Sequence, residues 1–159
     1  MTMQPASTEI ASRTAAIIQE LKGLQGPLLP ILHGIQEEFG HVPQDALPVI
    51  AEALNISKAE VHGVVTFYHD YRSHPAGRHV LKLCQAEACQ SMGSDAVAAK
   101  LKQLLGIGFH ETARDGSVTL EPVYCLGLCA CAPSAMLDGA VIGRLDDEKL
   151  DEIVAEVRS

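Results

Sequence analysis

Four of the chain's five cysteines form two spaced pairs, Cys84-x4-Cys89 and Cys125-x3-Cys129, with 35 residues between the pairs. A fold that brings these pairs to one place creates a four-thiolate site, and soft sulfur donors of that kind suit zinc or an iron-sulfur cluster. The spacing favours iron. Two sulfide-bridged irons are larger than one zinc ion, so their ligand pairs can stand further apart, and a C-x4-C pair occurs in plant-type 2Fe-2S proteins. Zinc ribbons more commonly use C-x2-C knuckles with a shorter span between them. No C-x-x-C is present, which disfavours a thioredoxin-type redox pair. The fifth cysteine, Cys131, leaves two readings open: it replaces Cys129 as a ligand, or it is a small buried residue beside the cluster. An odd cysteine count without a secretory signal argues against a disulfide framework.

Small residues flank the pairs. Gly127 lets the backbone approach inorganic sulfide, and Ala86, Ala88, Ala130 and Ala132 leave room for N–H groups to point at it. Such hydrogen bonds tune a cluster's potential.

The remainder of the chain predicts how the pairs meet. Four helical signals come first. Ile10, Ile17, Leu21 and Leu24 share a face; Leu28, Ile31, Leu32, Ile35 and Phe39 follow behind Pro27; Leu47, Ile50, Ala51 and Leu54 make a third stripe. The fourth begins at a capping box, Ser57 with Glu60, flanked by Ile56 and Val61 as a hydrophobic staple. Its stripe of Val61, Val64, Val65 and Tyr68 reads as core before it reads as a docking face. After Ser73-His74-Pro75-Ala76-Gly77 the pattern changes. His79 to Leu83 and Ser117 to Val123 read as strands, with a helix between them capped by Ser94. A hairpin around Asp138-Gly139 and a final helix through Leu150, Ile153, Val154 and Val157 complete the order. This predicts an α/β domain at 75–159 behind a helical bundle at 1–74. Its two leading strands lie parallel, and the cysteines sit in the loops at one end of the sheet.

Twelve basic against 20 acidic residues give a net charge of −8, which opposes nucleic acid and anionic membrane surfaces as partners. Met1 to Lys22 lacks the basic and apolar regions of a signal peptide, so a soluble cytoplasmic protein is expected. The seven histidines are scattered without ligand spacing and read as surface or satisfied core residues. The acidic run of Asp146, Asp147, Glu148, Asp151 and Glu152 suits the start of the last helix and not a metal site. There is no glycine-rich phosphate loop and no set of nucleophile, base and orienter. The isolated chain is expected neither to bind NAD nor to turn over substrate. Two function classes remain: an electron-transfer subunit and a zinc-stabilised interaction module.

From about Leu28 to Val157 the chain resembles the thioredoxin-like 2Fe-2S ferredoxin subunits, the 24 kDa subunit family of respiratory complex I. The resemblance is carried by Leu29-Pro30-Ile31-Leu32, Ile35-Gln36-Glu37-Glu38-Phe39-Gly40, Val42-Pro43 and Glu60-Val61-His62-Gly63-Val64-Val65-Thr66-Phe67-Tyr68. It continues in the two cysteine pairs and in Tyr124-Cys125-Leu126-Gly127-x-Cys129-x-x-Ala132-Pro133. It implies a thioredoxin-like domain with a helical N-terminal extension and one 2Fe-2S cluster on Cys84, Cys89, Cys125 and Cys129, with residue 131 variable. It also implies a partner flavoprotein subunit that binds FMN and NAD. The segment Gln85-Ala86-Glu87-Ala88-Cys89-Gln90-Ser91-Met92-Gly93 is most similar to the gamma subunit of soluble NAD-dependent formate dehydrogenases, which implies a molybdenum- or tungsten-containing catalytic partner. The equivalent subunits of NADH:quinone oxidoreductase or of an NAD-linked hydrogenase are the alternative.

Overall fold

The computed structural model describes residues 7–159, so the first six residues of Met1 to Lys22 lie outside it. The chain divides into two compact units, Met1–Pro75 and Ala76–Ser159.

The described part of the first unit is helical: α1 (Ser7–Leu21), α2 (Leu28–Phe39), α3 (Ala46–Leu54) and α4 (Lys58–Phe67). Apolar residues at helical spacing meet in one core, with Ile18, Ile31, Leu32, Ile35, Leu47, Ile50 and Val61 at 2% exposure or less. The Ser57 hydroxyl accepts from Glu60 N–H, and the Glu60 carboxylate accepts from Ser57 N–H, closing the predicted capping box. Val61 and Val65 enter the core while Tyr68 stays exposed. Leu24, expected on the α1 face, lies beyond the helix and is also exposed. The segment after α4 folds back on α2: the Gln36 side chain donates to the Asp70 carbonyl and accepts from Arg72 N–H, and Val42 N–H donates to the Arg72 carbonyl.

The second unit holds β1 (His79–Cys84), α5 (Glu87–Ser91), α6 (Ser94–Leu105), β2 (Glu111–Thr112), β3 (Val118–Val123), β4 (Ser134–Leu137), β5 (Ala140–Gly143) and α7 (Asp147–Arg158). The sheet order is β2-β3-β1-β4-β5. β1 and β3 are parallel, pairing His79 with Val118 through Cys84 with Val123, and the other neighbours are antiparallel. Leu81, Leu83, Val118, Leu120, Ala135 and Leu137 alternate onto one face. There they form a single core with Ala98 and Leu101 of α6 and with Leu150, Ile153, Val154 and Val157 of α7.

Two local expectations need correction. Ser94 does not cap α6. Gly93, with φ 91°, takes that place, and its carbonyl accepts from Ala96 and Val97 N–H. The first turn is thus closed by backbone, and the Ser94 hydroxyl is buried with no hydrogen-bond partner among the described residues. The first cysteine pair also does not lie in a plain loop: Cys84 ends β1 and Cys89 sits in the short helix α5.

Candidate metal centre

The site lies where β1 and β3 end side by side. Because Cys84 pairs with Val123, the register places the first cysteine beside the segment leading into Cys125. Cys89 is returned toward Cys84 by α5, whose first turn closes when Cys89 and Gln90 donate to the Ala86 carbonyl. After β3 the chain turns through Cys125, at φ 106°, and Gly127, at φ 76°. A left-handed conformation at a non-glycine residue costs on the order of 1–3 kcal/mol and recurs at functional sites. Cys129 then opens a 3-10 turn, Cys129–Cys131, ahead of the cis Ala132-Pro133 bond.

The thiols form a buried pair and an exposed pair. Cys84 and Cys89 are 2% and 1% exposed and pack with Ala132, Ala86, Val123 and Leu126. Cys125 and Cys129 are exposed, with their sulfurs 3.9 Å apart. Burial pushes the Cys84 thiol up, but hydrogen bonds from Ala86 N–H, from the Cys89 thiol and from the N–H groups of Cys125 and Leu126 outweigh it and hold Cys84 below the ordinary thiol value. Gly127 N–H donates to Cys125 Sγ at 3.4 Å. Three consecutive N–H groups, at residues 125 to 127, are therefore aimed at cysteine sulfur, an arrangement that stabilises negative charge. The Cys129 thiol is pushed up, chiefly by its hydrogen bond with Cys125 and the charge of that neighbour, with smaller contributions from burial and from the charge of Cys89. Each of the four thiols thus interacts with at least one of the others.

Among the described residues no three His, Cys, Asp or Glu side chains are arranged around a single metal ion; the thiols stand as two neighbouring pairs. A donor set of four soft sulfurs, in pairs and supplied with backbone N–H groups, fits a binuclear iron-sulfur centre.

Cys131 is half-buried. Its carbonyl accepts from Arg144 N–H at 2.6 Å, and its Cβ lies against Gly143. Three of the seven histidines have partners of their own: His33 rests on the Tyr71 ring, His79 pairs with Asp138, and His110 pairs with Glu121. Ser134, which the spacing argument did not single out, lies at the site with its hydroxyl 3.5 Å from Cys89 Sγ. The only signal for it in the chain is its place directly after Ala132-Pro133. No described helix is long and apolar enough to cross a membrane.

In Pseudomonas aeruginosa, a subunit of NADH-quinone oxidoreductase is 41% identical over 104 residues, which are 65% of this chain and 63% of that protein. The chain therefore spans less than two thirds of that relative. The HndA subunit of the NADP-reducing hydrogenase of Solidesulfovibrio fructosivorans is 30% identical over 153 residues, 96% of this chain and 87% of that protein. The fold also matches part of a crystallised NAD+-reducing [NiFe]-hydrogenase in its air-oxidised state. That match has a TM-score of 0.70 and 22% identity, covering 82% of this chain and 22% of the other. The profile of the thioredoxin-like [2Fe-2S] ferredoxins matches residues 14–158, and the chain belongs to that family.

Proposed function

We propose that this chain is the electron-transfer subunit of a cytoplasmic NAD-linked oxidoreductase, with one 2Fe-2S cluster held by Cys84, Cys89, Cys125 and Cys129. The observation that carries the reading is the pairing of a buried and an exposed set of thiols where β1 and β3 end, served by backbone N–H groups. Two irons each need two terminal thiolates, and two pairs supply them. A single structural zinc would need all four sulfurs about 2.3 Å from one point. When bound, such a cluster supplies one-electron chemistry. The chain's own residues fix the sulfurs, shield the Cys84 and Cys89 side, and leave the Cys125 and Cys129 side open toward solvent or a partner.

That partner, in this reading, is a flavoprotein subunit carrying FMN and NAD. The similarity of Gln85 through Gly93 to formate dehydrogenase gamma subunits supports a soluble NAD-dependent formate dehydrogenase with a molybdenum- or tungsten-containing catalytic subunit. The relatives described above favour the corresponding place in NADH:quinone oxidoreductase or in a hydrogenase. Anaerobic purification of the native assembly tests both levels. Two irons and two acid-labile sulfides per chain are expected, with NADH bleaching the visible bands only when the flavoprotein is present. One zinc per chain and no colour would sink the cluster. Formate should bleach the bands when the catalytic subunit is also present; an assembly that instead carries a nickel-iron or a quinone-reducing partner overturns the formate assignment alone.

A further inference from the structure

The second unit buries four hydroxyl-bearing side chains: Ser94, Ser117, Thr119 and Ser134. Ser117 donates to Asp115, and Thr119 bonds with Thr112 and accepts from Gly77 N–H, so both complete turns or the sheet margin. The Ser94 hydroxyl has no partner among the described residues. Ser134 alone of the four is paired with a cysteine, its Oγ 3.5 Å from Cys89 Sγ, with Ser134 and Cys89 both 1% exposed.

The geometry points to Ser134 as a positioning residue of the metal centre: its hydroxyl donates a hydrogen bond to the Cys89 sulfur and makes the centre easier to reduce. The inference rests on the ligand set proposed above. The fold explains the placement. β4 runs antiparallel to β1 with Leu83 opposite Ala135, so one further residue on each strand brings Ser134 to the end of the sheet where Cys84 stands. Ala135, its neighbour on the opposite face, is fully buried in the core beneath the sheet, and strand alternation turns Ser134 away from that core.

A ligating cysteine is a thiolate and cannot donate, so the hydroxyl must. An added electron raises the negative charge on the sulfurs, and a hydrogen bond to one of them is therefore stronger in the reduced state than in the oxidised state. Exclusion of water makes that difference count, because a buried hydrogen bond is electrostatically stronger than an exposed one. Gly127 N–H also donates to sulfur, at Cys125, but Cys125 is exposed, where water competes. Ser134 serves the side of the centre that water does not reach, and hydrogen bonds to cluster sulfur are among the factors that set reduction potentials.

The test is a redox titration of the full chain, purified anaerobically with its cluster, as wild type, Ser134→Ala and Ser134→Thr. Iron and sulfide are measured first. If the wild type holds no iron-sulfur centre, the ligand reading fails and takes this inference with it. With equal iron in all three proteins, Ser134→Ala is expected to lower electron affinity about tenfold, a downward shift of about 59 mV for a one-electron couple. Ser134→Thr keeps the hydroxyl and should stay within about twofold of wild type. A midpoint in Ser134→Ala unchanged from wild type overturns the inference, as does a tenfold shift in Ser134→Thr. Should the alanine protein fail to hold iron, Ser134→Gly removes the hydroxyl with still less bulk, and it decides on the same scale together with the threonine protein.

Discussion

Gly143 and Cys131 approach so closely that a Cβ on the glycine would lie 2.8 Å from Cys131 Cβ and 3.0 Å from its carbonyl oxygen. Arg144 N–H holds the same carbonyl. Cys131 is thereby anchored through its main chain and Cβ against β5, an anchorage in which its sulfur takes no part, whereas Cys129 Sγ is 3.9 Å from Cys125 Sγ. Cys131→Ser should therefore keep two irons per chain, while Cys129→Ser should fall below half of that and lose its visible bands. Iron, sulfide and absorbance after anaerobic purification check this; bleaching of the Cys131→Ser protein with retention in Cys129→Ser would reverse the assignment. The four-cysteine pattern was legible at this scale because thiolate spacing is itself a chemical constraint. Ser134 was not, because its meaning depends on the register of β4 against β1, which no local pattern states. Cys131, expected either as a substitute ligand or as a buried filler, is half-buried and pinned from behind. Its role depends on how close Gly143 comes, which a one-dimensional chain does not display.

The elements that were legible are those with strong local codes. Asp138-Gly139 forms the two-residue turn between β4 and β5 with φ values of 48° and 91°, the doubly left-handed turn that matches strand twist. The capping box of α4 and the stripes of α2, α3 and α7 likewise stand where their patterns place them. α5, at 5 residues, and β2, at 2, are too short to carry a period, and Cys89 fell within one of them. Asp138 has a second task. Its carboxylate accepts from Val80 N–H and from His79 Nδ1, each at 2.7 Å, clipping the hairpin to the start of β1. Burial pushes its carboxyl up, but the Val80 and His79 hydrogen bonds, aided by the His79 charge, outweigh that and hold it below the ordinary carboxylate value. A depressed folded value means the ionised form stabilises the fold above the unfolded value, and that this stabilisation is lost as pH falls through the folded one. Asn tolerates the left-handed turn and can still accept from Val80 N–H. Asp138→Asn should therefore be less stable than wild type at neutral pH and converge with it as pH falls below the ordinary aspartate value of about 3.9. Denaturant titrations across that range measure it; parallel curves with a constant gap would show that the charge of Asp138 is not what stabilises the clip.

At the scale of the whole chain, Met1–Pro75 and Ala76–Ser159 each have their own apolar core. The change of pattern at Ser73 to Gly77 signals such a division in the sequence, since helical stripes stop there and strand alternation begins. The same pattern expects all four thiols at one end of the second unit's sheet; what it does not state is that the Ser134 hydroxyl lies beside them. That follows from the parallel pairing of β1 with β3 and the antiparallel pairing of β1 with β4. A domain of 84 residues, counted from Ala76 to Ser159, is above the size at which chains usually need a staple to fold, and a bound cluster adds one. A protein consisting of 76–159 should therefore fold and take up two irons and two sulfides, with visible bands at the wild-type positions. It should resist iron chelators about as well as the full chain, because the residues that shield Cys84 and Cys89 are all retained. Binding to the proposed flavoprotein partner should weaken if the helical unit serves docking, and should not change if the exposed Cys125 and Cys129 side alone forms the contact. Chelator kinetics on the two proteins, with partner capture measured alongside, separate these outcomes. A soluble domain that loses its iron at least tenfold faster than the full chain would show that the helical unit completes the centre and does not merely accompany it.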